Sequence, residues 1–174
     1  MTMNRSLFAL SMLASSLSFA GWVQEGTGNL TFDAKGPAGF KIHGTSEKLT
    51  VLDDGKSFKV AVKIEDIDTD NSLRNGHMQE DMHAKEFPTI TLTVPTSSLK
   101  ESGGPIETTG TFEVNGQKKD AKFTYTPKCT GNTCDIEGSA PINLTHFGIK
   151  IRSYLGVTVK PDIMVGAKFK VVKK

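Results

Sequence analysis

The residues best suited to binding a polar group lie close together in the segment 71–87. Arg74 and His77 are three positions apart there, and the segment is rich in Met, Glu, Gln, Lys and Ala, a composition that favours a helix. A guanidinium binds phosphate or carbonyl oxygens, and a histidine can donate a hydrogen bond to either. The alternative is structural, with Arg74 paired to a carboxylate such as Asp70 and His77 packed beneath the helix. The sequence leaves both interpretations open.

The other histidines do not form a recognisable metal-binding or catalytic pattern. The chain contains His43, His77, His83 and His146, and none is spaced as in H-E-x-x-H. His77 and His83 are six positions apart, which places them on different faces of a helix. No G-x-S-x-G elbow, P-loop or dinucleotide-binding fingerprint is present. We therefore expect no metal and no cofactor. The enzymatic hypothesis that remains is a small hydrolase or isomerase for an apolar substrate, with His77 as acid or base.

The two cysteines, Cys129 and Cys134, enclose the four residues T-G-N-T. A disulfide between them would close a very small loop and pin the end of a hairpin, which suits an exported protein. Zinc is the rival, but it needs about four ligands, and no histidine or second cysteine pair lies nearby. A redox-active pair would normally be tighter, as Cys-x-x-Cys. We predict a disulfide.

The first twenty residues read as a secretory leader. Residues 1–5 carry one positive charge, residues 7–17 are apolar, and residues 18–20 (SFA) form a small-x-small cleavage signal, with cleavage expected after Ala20. The apolar run is too short to span a bilayer, which needs about 20 apolar residues. We expect residues 21–174 to form one exported, periplasmic domain without stable membrane insertion. The formal net charge of the whole chain, +2, argues against a nucleic-acid partner.

Alternating apolar and polar residues predict antiparallel strands to position these side chains. Asn115-Gly116 separates two such runs and favours a type I′ hairpin. The only segment without alternation is 71–87, which we predict to be helical at least in part, capped by Asp70 or Asn71 and ended by Pro88. Eight strands and one short helix make an all-β domain, most simply a closed barrel or a curved sandwich. The strands are expected at about 28–34, 39–52, 57–68, 88–99, 106–114, 117–128, 134–145 and 158–172.

Three regions in chain order resemble the YceI-like family. Residues 70–78 (DNSLRNGHM), with 86–90 (EFPTI), are similar to a helical segment of the family that carries R-x-x-x-M and precedes an F-P strand start. The hairpin at 112–122 contains an F-x-V-N-G sequence, and residues 143–149 (NLTHFGI) are similar to the family's F-G-I stretch. The resemblance covers nearly all of the chain after the leader.

The resemblance implies an extended, eight-stranded, lipocalin-like antiparallel barrel with the helical segment near one mouth. It also implies an apolar lumen that binds a polyisoprenoid or another long-chain amphipathic lipid, for transport or sequestration, in a non-enzymatic periplasmic protein. An eight-stranded barrel can instead be filled by its own side chains and serve as a structural or interaction protein, with a homodimer built on exposed strands as one form of this alternative. Met78 and Met82, four positions apart on the helix, suit packing or a pliable lid. The expected ligand-binding residues are Phe58, Val60, Val62, Ile64, Arg74, His77, Met78, Ile90, Leu92, Phe112, Phe123, Tyr125, Ile163, Val165 and Phe169.

Overall fold

The computed structural model describes residues 21–36, 39–154 and 157–174. The leader predicted for residues 1–20 lies outside this described part of the chain. Among the described residues, no helix is long and apolar enough to cross a bilayer.

The strands among the described residues are β1 Trp22–Lys35, β2 Lys41–Asp53, β3 Ser57–Lys63, β4 Thr89–Pro95, β5 Ile106–Val114, β6 Gln117–Thr130, β7 Thr133–Asn143, β8 Ser153–Tyr154, β9 Val157–Thr158 and β10 Asp162–Lys173. Eight of them close into one antiparallel barrel in the order β1-β10-β7-β6-β5-β4-β3-β2. The strands from β1 to β7 pair successively along the chain, and β10 pairs with both β7 and β1 to close the barrel. The two short strands, β8 and β9, form a further hairpin outside it.

The predicted closed all-β barrel is confirmed, and both predicted hairpin features are present. Asn115 and Gly116 have φ values of 51° and 67°, the two positive angles that a type I′ turn requires between β5 and β6. Cys129 and Cys134 face each other across β6 and β7 and form the predicted disulfide. We call the end of the barrel with this disulfide the disulfide end.

The α-helix of the described residues, α1 (Ser72–Asp81), lies at the opposite end, which we call the helix end. Asn71 caps it, as one of the two predicted caps, because its Oδ1 accepts a hydrogen bond from the Arg74 N–H at 2.9 Å. The predicted helix in part of the segment 71–87 is confirmed, but the prediction that Pro88 ends it was wrong. The backbone leaves the helix at Met82 and turns at His83, whose φ is 48°.

Several predicted strands were too long, and at two of them an apolar residue, Ile64 or Leu144, continues the pattern where the backbone has already turned. Short 3-10 turns replace the expected strand ends at Ile64–Asp66, Thr96–Ser98 and Leu144–Phe147. β1, in contrast, begins six residues before its predicted start, and a bulge between Glu25 and Asn29 interrupts its pairing.

On the other side of β1, the side chain of Gln24 continues the connection to β2 beyond their last backbone pair, Gly28 with Leu49. Its Oε1 accepts a hydrogen bond from the Val51 N–H at 2.7 Å, and its Nε2 donates to the Leu49 carbonyl at 3.0 Å. The amide therefore joins β1 to β2 where the two backbones separate, which keeps the barrel wall closed.

Candidate functional site

The interior of the barrel holds two apolar cavities that meet at a constriction. The upper cavity, about 240 Å³, lies toward the disulfide end, and the lower cavity, about 310 Å³, lies toward the helix end. Four side chains line both cavities and form what we call the waist: Leu30, Ile90, Phe112 and Val165. The two cavities and the waist together are the lumen.

Period-two alternation on every strand builds this lumen, because it directs one face of each strand inward. Phe58 and Phe169 approach to 6.0 Å between ring centroids in the upper cavity, and Phe123 lies 5.9 Å from Tyr125. Ten of the side chains predicted to bind ligand line this cavity: Phe58, Val60, Val62, Ile90, Leu92, Phe112, Phe123, Tyr125, Val165 and Phe169.

Two glycines, Gly44 and Gly110, leave room for large neighbouring side chains that occupy the place of a Cβ. A Cβ at Gly44 would lie 2.2 Å from Cε1 of Phe32, which sits directly opposite on β1. A Cβ at Gly110 would lie 2.5 Å from Cδ1 of Leu92. The lumen therefore takes its shape from missing side chains as well as from large ones.

A network of bonds covers the disulfide end. The Tyr125 hydroxyl accepts a hydrogen bond from the Lys100 N–H at 2.7 Å, which fastens the β4–β5 loop over the barrel. Lys173 Nζ lies 2.6 Å from Glu101 Oε1 in the same loop and 5.3 Å from the centre of the Trp22 ring. Asp53 accepts a hydrogen bond from the Trp22 N–H at 2.9 Å and another from the Thr96 hydroxyl, just after β4, at 2.8 Å.

One face of α1 looks into the lower cavity. Arg74, His77, Met78, Asp81 and the following Met82 line it, at spacings of three and four that bring them onto one side of the helix. Three of these five side chains are polar or charged. The helix end of the lumen is therefore amphipathic, whereas the waist above it is wholly apolar.

The segment before α1 and the turn after it hold the helix in place. Asp68, ahead of the helix, pairs with Thr45 of β2 through two backbone hydrogen bonds of 2.8 Å. Beyond the helix, His83 Nδ1 lies 2.7 Å from Asn115 Oδ1, and Asn115 Nδ2 donates to the Phe147 carbonyl at 3.0 Å. The residues at the β5–β6 turn thus connect the helix to the loop on the other side of the mouth.

Arg152 closes the remaining side of this mouth as an ionic clamp. Its Nε donates to both carboxylate oxygens of Asp81 at 2.7 Å, and its Nη2 donates to Glu80 Oε2 at 2.7 Å. The hydrogen bond from Arg152 is the main reason that the pKa of Glu80 lies below its usual value. The clamp joins the end of α1 to the loop that follows β7, and all three side chains keep contact with solvent.

The structure places the predicted polar residues as follows. Arg74 and His77 both line the lower cavity, with Met78 and Ile163. Among the described residues Arg74 forms no salt bridge, with Asp70 or any other carboxylate, and its guanidinium instead stacks 5.8 Å from the centre of the Phe40 ring. His77 is half-buried.

Of the fifteen residues predicted to line the lumen, Ile64 is the one that lines neither cavity. It is fully buried, but β3 ends at Lys63 and Ile64 already belongs to the 3-10 turn that follows the strand. It packs in the core instead.

Sequence reasoning missed several residues of the site. Asp81 was detectable, because it lies four positions after His77 and seven after Arg74, on the same helix face. Leu30 and Phe32 also follow a simple alternation. Lys150 and Arg152 had no local signal, since only the folded chain brings them to the mouth. The described residues contain no group of three histidine, cysteine or acidic side chains placed to bind a metal.

Comparison with known structures shows a shared fold. A polyisoprenoid binding domain from Saccharophagus degradans, implicated in plant cell wall breakdown, superposes with a TM-score of 0.68 at 10% identity, over 88% of this chain and 98% of that one. BcnA of Burkholderia cenocepacia gives a TM-score of 0.67 at 16% identity, over 82% and 95% of the two chains. The YceI protein of Campylobacter jejuni gives 0.56 at 16% identity, over 100% and 94%.

No curated protein matches the chain in sequence. A family model described as a YceI-like domain, in contrast, matches residues 4–171, which includes every strand of the barrel except the last two residues of β10. The predicted family is thereby confirmed: the chain belongs to the YceI-like family.

Proposed function

We propose that this protein binds a polyisoprenoid, or a similar long-chain amphipathic lipid, inside the barrel and acts as a carrier or sequestering protein. The observation that carries the proposal is the lumen itself: two apolar cavities that meet at the waist and have polar side chains at their outer ends. A prenyl chain has no hydrogen-bonding groups, and each 100 Å² of its surface taken out of water contributes about 2.5 kcal/mol. A structural relative is a polyisoprenoid binding domain, which supports the same ligand class here.

The distribution of polar side chains gives the ligand an orientation. We place its polar head in the lower cavity, near Arg74, His77 and Lys150, and its tail across the waist into the upper cavity. A guanidinium and an ammonium suit an anionic or carbonyl head. At the other end, the polar side chains are engaged with each other, as in the pair of Lys173 with Glu101. The cavities favour this function over a filled barrel with a purely structural role.

The proposed location is the periplasm, reached through the leader predicted for residues 1–20. The disulfide between Cys129 and Cys134 suits an oxidising compartment. The formation of a homodimer stays a prediction from the sequence.

Native mass spectrometry of protein purified without detergent tests the function. We expect a bound lipid, or stoichiometric uptake of an added prenyl quinone. A protein that is always free of ligand and takes up neither a prenyl quinone nor a long-chain fatty amide would contradict the proposal.

The hydrolase or isomerase hypothesis is tested by the same lipids, since His77 faces the lower cavity. Wild-type protein and His77→Ala are incubated with the bound lipid, and the lipid is then extracted and analysed. We expect it unchanged in both. Conversion by wild type alone would make His77 catalytic and favour an enzyme.

A further inference from the structure

Two of the most exposed apolar side chains lie at the helix end. Phe40, between β1 and β2, is 60% exposed, and Leu73, in the first turn of α1, is 68% exposed. Arg74, the residue after Leu73, stacks on the Phe40 ring at 5.8 Å, which brings the first turn of α1 against the β1–β2 connection. Neither contributes to the lining of the lumen, and lumen binding does not explain their exposure.

Exposed lysines surround Phe40. Lys35 and Lys41 are paired opposite each other at the ends of β1 and β2, directly beside it. The Lys160 N–H donates to the Lys35 carbonyl at 2.8 Å, which brings a third lysine to the same place. None of the three forms a salt bridge with a residue that the structure describes. We call this the Phe40 surface; it consists of Phe40, Leu73, Arg74, Lys35, Lys41 and Lys160.

Four exposed carboxylates lie near this surface, and among the described residues none forms a salt bridge with its lysines. Asp33 is bonded to His43 with 2.8 Å between Oδ1 and Nδ1, and Asp162, two residues after Lys160, accepts a hydrogen bond from Asn143 at 2.8 Å. Asp68 and Asp70 precede the helix, and Asp68 accepts hydrogen bonds from Asn75 and from the Asp70 N–H. The ammonium groups of the Phe40 surface therefore stay available to an anionic partner.

The chemistry that matches an exposed aromatic side chain surrounded by lysines is an anionic lipid bilayer. The ring and the leucine can enter the region between headgroups and acyl chains, while the ammonium groups remain among the lipid phosphates. A second copy of the chain is a poor match, because a two-fold contact would set these lysines against each other.

We propose that the Phe40 surface docks the helix end of the barrel on an anionic membrane. Arg74 connects this surface to the lumen, since it contacts Phe40 and also lines the lower cavity. Docking places the mouth at the level of the headgroups, where a lipid can pass between bilayer and lumen. This purpose rests on the proposed function, whereas membrane binding itself is tested separately.

Flotation with vesicles tests the docking. The purified protein is mixed with vesicles of phosphatidylglycerol and phosphatidylcholine, or of phosphatidylcholine alone. We expect binding to the anionic vesicles only, weakening as added salt screens the charges. Phe40→Ser should reduce partitioning about tenfold, because it removes the inserted ring. Lys41→Ala should reduce it about fivefold, because one charge is lost near the surface.

Matched controls come from the disulfide end. Leu52, 65% exposed, faces away from the lumen opposite Lys59 on the neighbouring strand. Leu52→Ser and Lys59→Ala should leave vesicle binding unchanged. An unaltered thermal unfolding midpoint and far-ultraviolet spectrum identify the variants that retain the fold.

Three outcomes would overturn the proposal. Wild type would bind neutral and anionic vesicles equally, or Leu52→Ser would lose as much vesicle binding as Phe40→Ser. The third is self-association of wild type in sedimentation that Phe40→Ser abolishes. Uptake of a prenyl quinone added from dilute ethanol, without vesicles, separates the two proposals. Phe40→Ser should take it up normally. Failure of wild type to take it up would count against the lumen function alone.

Discussion

Narrowing the waist should prevent long lipids from binding while short ones still bind. Val165 is the residue to enlarge, because it lies on β10 and lines both cavities. We expect Val165→Phe to fill the constriction and to separate the lower cavity from the upper one. The chain's only tryptophan, Trp22, lines the upper cavity and remains available as a reporter.

The size of the effect follows from the length of lumen that becomes inaccessible. β10 continues for eight residues from Val165 to Lys173. At about 3.4 Å per residue and a strand tilt of about 40°, this corresponds to roughly 20 Å along the barrel axis. Each methylene kept in water forfeits about 0.8 kcal/mol, so excluding as few as about four would weaken binding by about 3 kcal/mol, more than a hundredfold.

The assay uses a fatty acid with a conjugated polyene tail, which accepts excitation energy from tryptophan. In wild type we expect the tail to reach the upper cavity and to quench Trp22. Val165→Phe should abolish the quenching and weaken binding more than a hundredfold. A short-chain amphiphile, which needs only the lower cavity, should bind both proteins equally.

The matched control is Met164→Phe, the neighbouring position on β10, which is 47% exposed and faces away from the lumen. It should bind like wild type. If Val165→Phe retains its fold yet binds the long ligand and quenches Trp22 as wild type does, the ligand does not cross the waist and the proposed orientation is wrong.

Four further predictions concern the closure and packing of the barrel. Arg152→Gln should speed lipid exchange at the helix end, measured by stopped-flow dilution, because it removes the ionic clamp. The pKa of Glu80 is lowered in the fold, so its contribution to stability is present above its unfolded pKa and is lost as the pH falls through the folded pKa. Thermal unfolding in acid should therefore show a smaller loss of stability in Arg152→Gln than in wild type. Replacing both cysteines with serine should lower the free energy of unfolding in urea by about 2 kcal/mol, the value for so short a loop. Gly44→Ala should lower the free energy of unfolding by about 1–3 kcal/mol, because the added Cβ would meet the Phe32 ring. Gly104→Ala, whose Cβ would have no neighbour within 4 Å, should leave it unchanged. Equal effects of the two substitutions would contradict the packing argument.

The barrel was predictable from the sequence because side-chain alternation is a local property of each strand. Phe58, Val60 and Val62 occupy alternate positions of β3, so their common inward orientation follows from the sequence of that strand alone. Strand ends were less predictable, since Ile64 and Leu144 prolong the apolar pattern although the backbone has already turned. Hydrophobicity shows which residues are buried, and it carries little information on where a strand ends.

The mouth was predictable only in part, for a different reason. Arg74, His77 and Asp81 share a helix face, which sequence spacing alone reveals. Their partners come from distant parts of the chain: Arg152 is 71 residues from Asp81, and two strands, β2 and β3, separate Phe40 from Arg74. No periodicity records such contacts, so the clamp and the Phe40 surface were visible only in the folded structure.

The two ends of the barrel are closed by bonds of different kinds, and this difference indicates where a lipid enters. At the disulfide end, a covalent bond joins β6 to β7, and the half-buried contact of Tyr125 with Lys100 fastens the loop above the lumen.

At the helix end, α1 has no fully buried residue within its own length, and the clamp of Arg152 lies in contact with water. Elements with little buried apolar surface open locally at a lower free-energy cost than the rest of a fold. The helix end should therefore open first. It is also the end where Arg74 and His77 line the lumen and where the Phe40 surface lies beside the mouth, so that opening, binding of the lipid head and membrane docking would occur at one place.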